Sequence, residues 1–185
     1  MMPEISLNVL DVAENSTRAG ASLVEIRVLA DSAKDTLTIQ ILDDGCGMTE
    51  EQIAHVTDPF FTTRKTRKVG LGVPFFKYAA EITGGSFSIT STVGVGTTVT
   101  AVFVLSSIDR MPLGDMTSTI HSLIVYHPDT DFLYTYQHDG NSFSLDTREF
   151  REILGGVPFD VPEISQYIRE YLEENKTEVD GGVPI

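Results

Sequence analysis

Long hydrophobic runs, cysteines and cations are all scarce in this sequence, and each shortage excludes something. No apolar stretch approaches the roughly 20 residues that a membrane-spanning helix needs, so no membrane role is expected. The opening residues, Met1-Met2-Pro3-Glu4, carry no basic segment followed by an apolar one, so no signal peptide is expected. One cysteine, Cys46, cannot build an internal disulfide framework and suits a reducing, cytoplasmic setting. Lys and Arg number 13 against 27 Asp and Glu, a formal charge of −14. A phosphate backbone is bound by clustered cations, so a nucleic-acid partner is not expected.

What is present is an ordinary globular composition, 41% hydrophobic and 22% charged over 185 residues. That length allows one domain with a real core plus an appendage. The charge divides the chain. Residues 1–105 hold 8 Lys and Arg against 12 Asp and Glu, whereas residues 106–185 hold 5 against 15. The acidic part is expected as an α+β extension; it serves solubility or a protein partner. The dense basic cluster is Arg64, Lys65, Arg67 and Lys68, in the first part.

Hydrophobic periodicity orders the elements. Residues 3–19 read as a helix, with Leu7, Leu10 and Glu14 at helical spacing and Gly20 as its stop. Residues 22–30 alternate as a strand, and Thr36–Leu42 form a second one that delivers Asp43. Thr49 caps a short helix, Glu50–Val56. A loop follows from Asp58 to Val69, then a helix over 71–83 and strands at Ser86–Thr92 and Thr97–Leu105. Beyond that, Ile120–Tyr126, Phe132–Tyr136 and Ser142–Leu145 read as strands, and helices are expected from Asp146 or Thr147 to about Leu154 and from Glu163 to Asn175. The last residues, from Asp180, are expected to fray.

The stretch from Asp43 to Gly72 concentrates the chemistry. Asp43 ends a strand and precedes Gly45 and Gly47; a buried carboxylate accepts only, which suits the amino group of adenine. A plain hairpin turn would use the same residue types. Gly70-Leu71-Gly72 precedes a helix whose free N–H groups favour phosphate. Asn15, in mid-helix, offers a neutral oxygen for Mg²⁺, and Asp11 one turn earlier could deprotonate a water. Each also reads as a solvent-facing or first-turn polar residue. Thr97 reaches towards the same site or is simply a strand former.

In order and spacing these motifs resemble the GHKL ATPases, the group of gyrase B, heat-shock chaperone ATPases, sensor histidine kinases and MutL-type mismatch-repair proteins. Asp11 to Ala21 looks like the N-box, closest to the MutL version, with Asn15 on the magnesium-binding asparagine. Asp43-Asp44-Gly45-Cys46-Gly47-Met48 looks like the first glycine box, with Asp43 on the adenine-reading aspartate. Asp58-Pro59-Phe60-Phe61-Thr62-Thr63 looks like the histidine-kinase F-box. Gly70-Leu71-Gly72, Gly84-Gly85 and Gly94 to Thr98 look like the second glycine box and terminal strands of the kinase type.

The resemblance covers residues 5–105 and implies an α/β two-layer sandwich, the Bergerat fold, with a mixed sheet, helices on one face and ATP under a lid. It implies ATP and Mg²⁺ as ligands, with Asn15 on the metal. Asp43, Gly45, Gly47, Met48, Phe60, Arg64, Lys65, Lys68, Gly70, Leu71, Gly72 and Thr97 would lie around the nucleotide. Two departures stand out: Lys68 replaces the usual glycine two before Gly70, and the shorter Asp11 stands where MutL and gyrase carry a catalytic glutamate. The four histidines all follow the first helix and none lies in a long one, so autophosphorylation on an internal histidine is not expected. The readings that remain are a protein kinase acting in trans or a slow ATPase working on a protein partner, and a nucleotide-gated interaction module. A homodimer is left open.

Overall fold

Strand alternation sets the architecture. In the strands from Leu23 to Asp31 (β1) and from Thr36 to Asp43 (β2), every second residue is buried and the others are half-exposed. A strand with that pattern has one face to cover, so its helices collect on one side. The computed structural model describes residues 3–60 and 72–185.

Within them the helices are α1 (Ile5–Arg18), α2 (Glu50–Val56), α3 (Gly72–Glu81), α4 (Met116–Tyr126), α5 (Thr147–Ile153) and α6 (Pro162–Asp180). The remaining strands are β3 (Ser86–Thr92), β4 (Gly96–Val104), β5 (Asp131–His138) and β6 (Asn141–Asp146). They form one six-stranded sheet in the order β3-β4-β2-β1-β5-β6. β1 and β5 run parallel, and every other neighbouring pair is antiparallel. The protein is an α/β two-layer sandwich with a mixed sheet. Residues 106–185 are α+β, and their two strands continue the sheet through β1.

Val24, Ile26 and Val28 of β1, Leu37, Ile39 and Ile41 of β2, and Val99, Ala101 and Phe103 of β4 are buried together. Ile5, Val9 and Val12 of α1, Phe76 and Ala80 of α3, and Ile120, Leu123 and Ile124 of α4 join the same core. The opposite face is part-exposed and carries a polar network among residues such as Leu29 and Val102. Arg27 donates to Glu25 at 2.7 Å and to Gln40 at 3.3 Å, and Gln40 donates to Thr100 at 3.3 Å.

Two expectations are corrected. Ile120–Tyr126 is not a strand but the second half of α4. Its β-branched run reads as strand locally, yet Met116, Ile120, Leu123 and Ile124 are buried at helical spacing. Asp115 caps the helix by accepting from Ser118 N at 2.9 Å. The chain's end does not fray either. α6 runs on to Asp180 and stops at the left-handed Gly181, and Leu113 N donates to Ile185 O at 2.8 Å.

Asp180 anchors that end. Its carboxylate is fully buried and accepts from Lys176 Nζ at 2.6 Å, from the Tyr136 hydroxyl at 2.8 Å and from Gly182 N at 2.8 Å. Burial pushes its pKa up, but the lysine, the hydroxyl and the amide outweigh it and hold the carboxyl below its ordinary value. A depressed carboxyl stabilises the fold at neutral pH and stops doing so as pH falls through its folded value. We expect Tyr136→Phe to cost about 2 kcal/mol at pH 7, as for a hydrogen bond to a charged group. In urea titrations the deficit should shrink on acidification, as Asp180 takes up its proton.

Candidate nucleotide site

The site lies where β2 ends against the C-terminal half of α1. Val12, Asn15, Ser16 and Ala19 of α1 form one wall of a cleft. Asp43, Cys46, Gly47 and Met48 follow from the end of β2, Val56 comes from α2, Val73 from α3, and Ile89, Thr97 and Val99 from β3 and β4. The lining is mostly apolar, and its polar groups sit at the floor.

Asp43 is the centre of that floor. Its Oδ2 accepts from the Ser16 hydroxyl at 2.6 Å and its Oδ1 accepts from Gly45 N at 2.9 Å. Both contacts orient the carboxylate and leave lone pairs for a donor in the cleft. The adjacent Asp44 has a different task. It accepts from the backbone of Ser22 at 2.8 Å and of Leu23 at 3.0 Å, tying the start of β1 to the end of β2. The glycines are needed sterically. A Cβ on Gly45 would stand 2.9 Å from the Ala19 Cβ and 3.0 Å from Asp43 Oδ1. Gly47 has a φ of +72°, and a Cβ there would meet Thr92 O at 2.1 Å, so no other residue fits.

A second acceptor adjoins the first. Ser91 Oγ donates to Gly96 O at 3.0 Å and accepts from Met48 N at 2.8 Å. Its one proton is therefore committed, and the 2.8 Å contact with Thr97 Oγ1 has Thr97 as donor. The Thr97 oxygen is left with lone pairs only. Asp43 and Thr97, paired across β2 and β4, together suit a ligand that donates.

Nearer the start of α1 come Asn15, which lines the cleft, and Asp11, which does not. Asn15 Oδ1 is a neutral hard oxygen that accepts from Arg18 Nη1 at 3.1 Å on the same helix. Asp11 lies against the first residue of α3: a Cβ on Gly72 would stand 3.0 Å from its Cβ and 3.3 Å from its Oδ2. Burial pushes the Asp11 carboxyl above its ordinary value; Arg18 pulls it down and Glu14 pushes it up. A half-buried carboxylate whose pKa is raised by burial is a stronger proton acceptor than an exposed one.

Of the residues expected around a nucleotide, the structure brings Asn15, Asp43, Gly47, Met48 and Thr97 into the cleft, with Gly45 directly beneath Asp43. Asp11 and Gly72 touch each other but do not line the cleft, although their chain neighbours Val12 and Val73 do. Phe60 is 93% exposed and does not line it. Arg64, Lys65, Lys68, Gly70 and Leu71 lie outside the described residues. Sequence reasoning did not find Ser16. Its signal was available: position 16 falls on the buried stripe of α1 with Val9, Val12 and Ala13, where a serine needs a polar reason. Among the described residues, no cluster of three or more His, Cys, Asp or Glu could hold a metal. No helix among them is long and apolar enough to cross a membrane.

Residues 2–107 match the family described as histidine kinase-, DNA gyrase B-, and HSP90-like ATPase. That is more than half of the chain, and the protein belongs to this family. A putative sensor protein of Shewanella frigidimarina is 31% identical over 109 residues, covering 57% of this chain and 16% of the relative. The sensor histidine kinase YvrG of Bacillus subtilis is 27% identical over 93 residues, 48% of this chain and 16% of the kinase. The chain thus spans about a sixth of the length of these relatives. Two solved structures share the fold. One is the N-terminal domain of a DNA repair protein, with a TM-score of 0.55 and 13% identity over 78% of this chain and 52% of that one. The other is the Aquifex aeolicus MutL ATPase domain complexed with ADP, with a TM-score of 0.51 and 15% identity over 84% and 70%.

The raised Asp11 carboxyl has a signed consequence. The fold favours its proton, so the ionised form costs stability above the ordinary value of 3.8. Asp11→Asn is expected to raise the melting temperature at pH 7, and the gain should close as pH approaches that value.

Proposed function

We propose that this chain binds ATP with magnesium in the cleft and uses it on a protein partner, by transfer of the γ-phosphoryl group or by slow hydrolysis. The observation that carries the reading is the Asp43 carboxylate, held at the cleft floor by Ser16 and Gly45 with Thr97 beside it. Two fixed acceptors suit the adenine amino group, and the apolar walls suit the flat faces of the base. The residues present also fit the cation. Asn15 Oδ1 would hold it, and magnesium needs only one or two protein oxygens when phosphates and waters complete its shell. When bound, it would neutralise charge on the phosphates.

The chain's own contribution is positioning and proton removal. Asp43 and Thr97 fix the base, and Asn15 fixes the metal-bearing end. Asp11 accepts the proton of the attacking hydroxyl, from a partner side chain or from water. The half-buried, proton-favouring position of Asp11 supports that role. The Arg64–Lys68 cluster supplies the charge to meet phosphate oxygens.

Binding tests the floor first. In isothermal titration, Asp43→Asn should abolish ATP binding, because an amide turned to Gly45 N presents donors on its other side. Ser16→Ala should weaken ATP and ADP alike by about tenfold, the worth of one net hydrogen bond. Wild-type affinity in Asp43→Asn would remove the assignment.

Chemistry is tested with γ-³²P-ATP and Mg²⁺, with and without lysate of the source organism. A labelled band that disappears with Asn15→Ala marks a kinase and identifies its substrate. Free phosphate without a band marks an ATPase, and Asp11→Asn should slow it by at least about 10²-fold, as for loss of a general base. Neither product, with ATP still bound, would leave a nucleotide-gated interaction module and refute the catalytic part.

A further inference from the structure

The cleft uses one end of the sheet. At the other end, α5 and α6 carry a surface that nothing above has used. A ladder of rings climbs out of the core there. Buried Tyr134 packs edge-on to Phe143 at 5.8 Å, Phe143 meets Tyr171 at 6.3 Å, Tyr171 meets Phe150 at 5.3 Å, and Phe150 meets Tyr167 at 6.1 Å. The ladder is not sealed. Tyr167 is 55% exposed, and Ile153, one turn beyond Phe150 on α5, is 79% exposed. A ring stacked on two others is held in place before anything binds to it, so little side-chain entropy remains to be lost on contact.

The charge around this ladder is predominantly negative. Glu163, Tyr167, Glu170 and Glu174 fall at successive helical steps and share a stripe of α6. On α5, Glu149 stands four residues before Ile153 and lies close enough to the Tyr171 hydroxyl to raise its pKa, after burial and Tyr167. The neighbouring cations are already engaged. Arg148 donates to Asp146 at 3.0 and 2.9 Å, and Arg151 donates to Asp131 at 2.8 Å with its guanidinium over the Phe159 ring. Among the described residues Glu149, Glu152 and Glu163 form no ion pair, and Glu170 accepts only from Gln166 at 3.0 Å. Apolar anchors at the centre and an excess of carboxylates at the rim are the anatomy of a docking patch.

We propose that the α5–α6 face is a docking surface for a basic amphipathic segment of a protein partner. Its apolar side chains would cover Tyr167 and Ile153, and its lysines or arginines would meet Glu149, Glu163 and Glu170. Complementary charge gives such a pair steering and register, while the buried rings give affinity. Nucleic acid is repelled by this rim, and so is an anionic bilayer. The surface lies apart from the cleft, and the proposal holds whether ATP is transferred, hydrolysed or only bound.

The chain contains no tryptophan, so a tryptophan-bearing peptide reports binding through its own fluorescence without background. The probes are a 14-residue Leu/Lys amphipathic helix with one tryptophan, its Leu/Glu counterpart, and a scramble of the first. They are titrated into the full chain without nucleotide. The Leu/Lys peptide should bind, the scramble at least tenfold more weakly, and the Leu/Glu peptide not at all. Tyr167→Ala should weaken binding at least tenfold. Ile153→Ser, at a position too exposed to disturb the fold, should weaken it about fivefold with an unchanged melting temperature. The pair Glu50→Gln and Glu51→Gln, on α2, should leave it unaltered. Equal loss in the α2 pair would reduce the effect to general charge attraction and overturn the proposal. So would unchanged binding in both Tyr167→Ala and Ile153→Ser.

Discussion

One-sided burial of the sheet is the constraint from which the rest follows. β1, β2 and β5 bury every second residue along most of their length, as β4 does from Val99 on, and leave the alternates, polar and apolar, only part-covered, so the helices have a single face to occupy. Crowded onto that face, α1 lies with Ser16 over the end of β2. There the strand runs out into Asp43 and the glycine turn. The 2.6 Å bond from Ser16 to Asp43 is the stitch between the two layers. The cleft lies beside that stitch, lined by α1 on one side and by residues of α2, α3, β3 and β4 on the others. Sheet, helix and pocket are in this sense one solution to one packing problem.

The division of labour between two adjacent carboxylates shows how local this design is. Asp44 is consumed by the backbone of Ser22 and Leu23 and closes the β1–β2 pair. Asp43, one step earlier, points to the other side of the strand and faces the cleft. The same alternation that separates core from surface thus separates an acid spent on the backbone from one that faces the cleft. On α1 the logic is electrostatic: burial draws the Asp11 carboxyl half out of water, which makes it more basic and slightly destabilising together.

Much of this was legible in the residues. β1 and β2 declare themselves by period-two alternation, and α2 by the capping box of Thr49 and Gln52, which the structure has in full. Asp43 and Asn15 could be singled out because several weak motifs follow one another at consistent spacing. What escaped notice was decided by distant partners. α4 reads as strand from Ile120 to Tyr126 because β-branched residues dominate that window, and only packing against α1 and α6 makes the helix the better burial. The pairing of β5 beside β1 is parallel and spans more than a hundred residues of chain, so no turn signal announces it. The anchoring of the last residues depends on Tyr136, whose reach to Asp180 no local pattern encodes. Ser16 was visible in principle, as a hydroxyl on a buried stripe, but its partner is 27 residues away.

The strap from Pro112 to Leu113 has a consequence for how the chain can be rewired. Ile5 N donates to Pro112 O at 3.0 Å, Ser6 N donates to Leu113 O at 2.8 Å, and Leu113 N donates to Ile185 O at 2.8 Å. The start of α1 and the last described residue therefore grip the same two peptides. A short linker could join Ile185 to the start of α1 without disturbing a strand. New ends could then be opened at the exposed Asp139-Gly140 hairpin. In such a ring the order of the elements along the chain is a matter of where it is cut, while their neighbours in space stay the same.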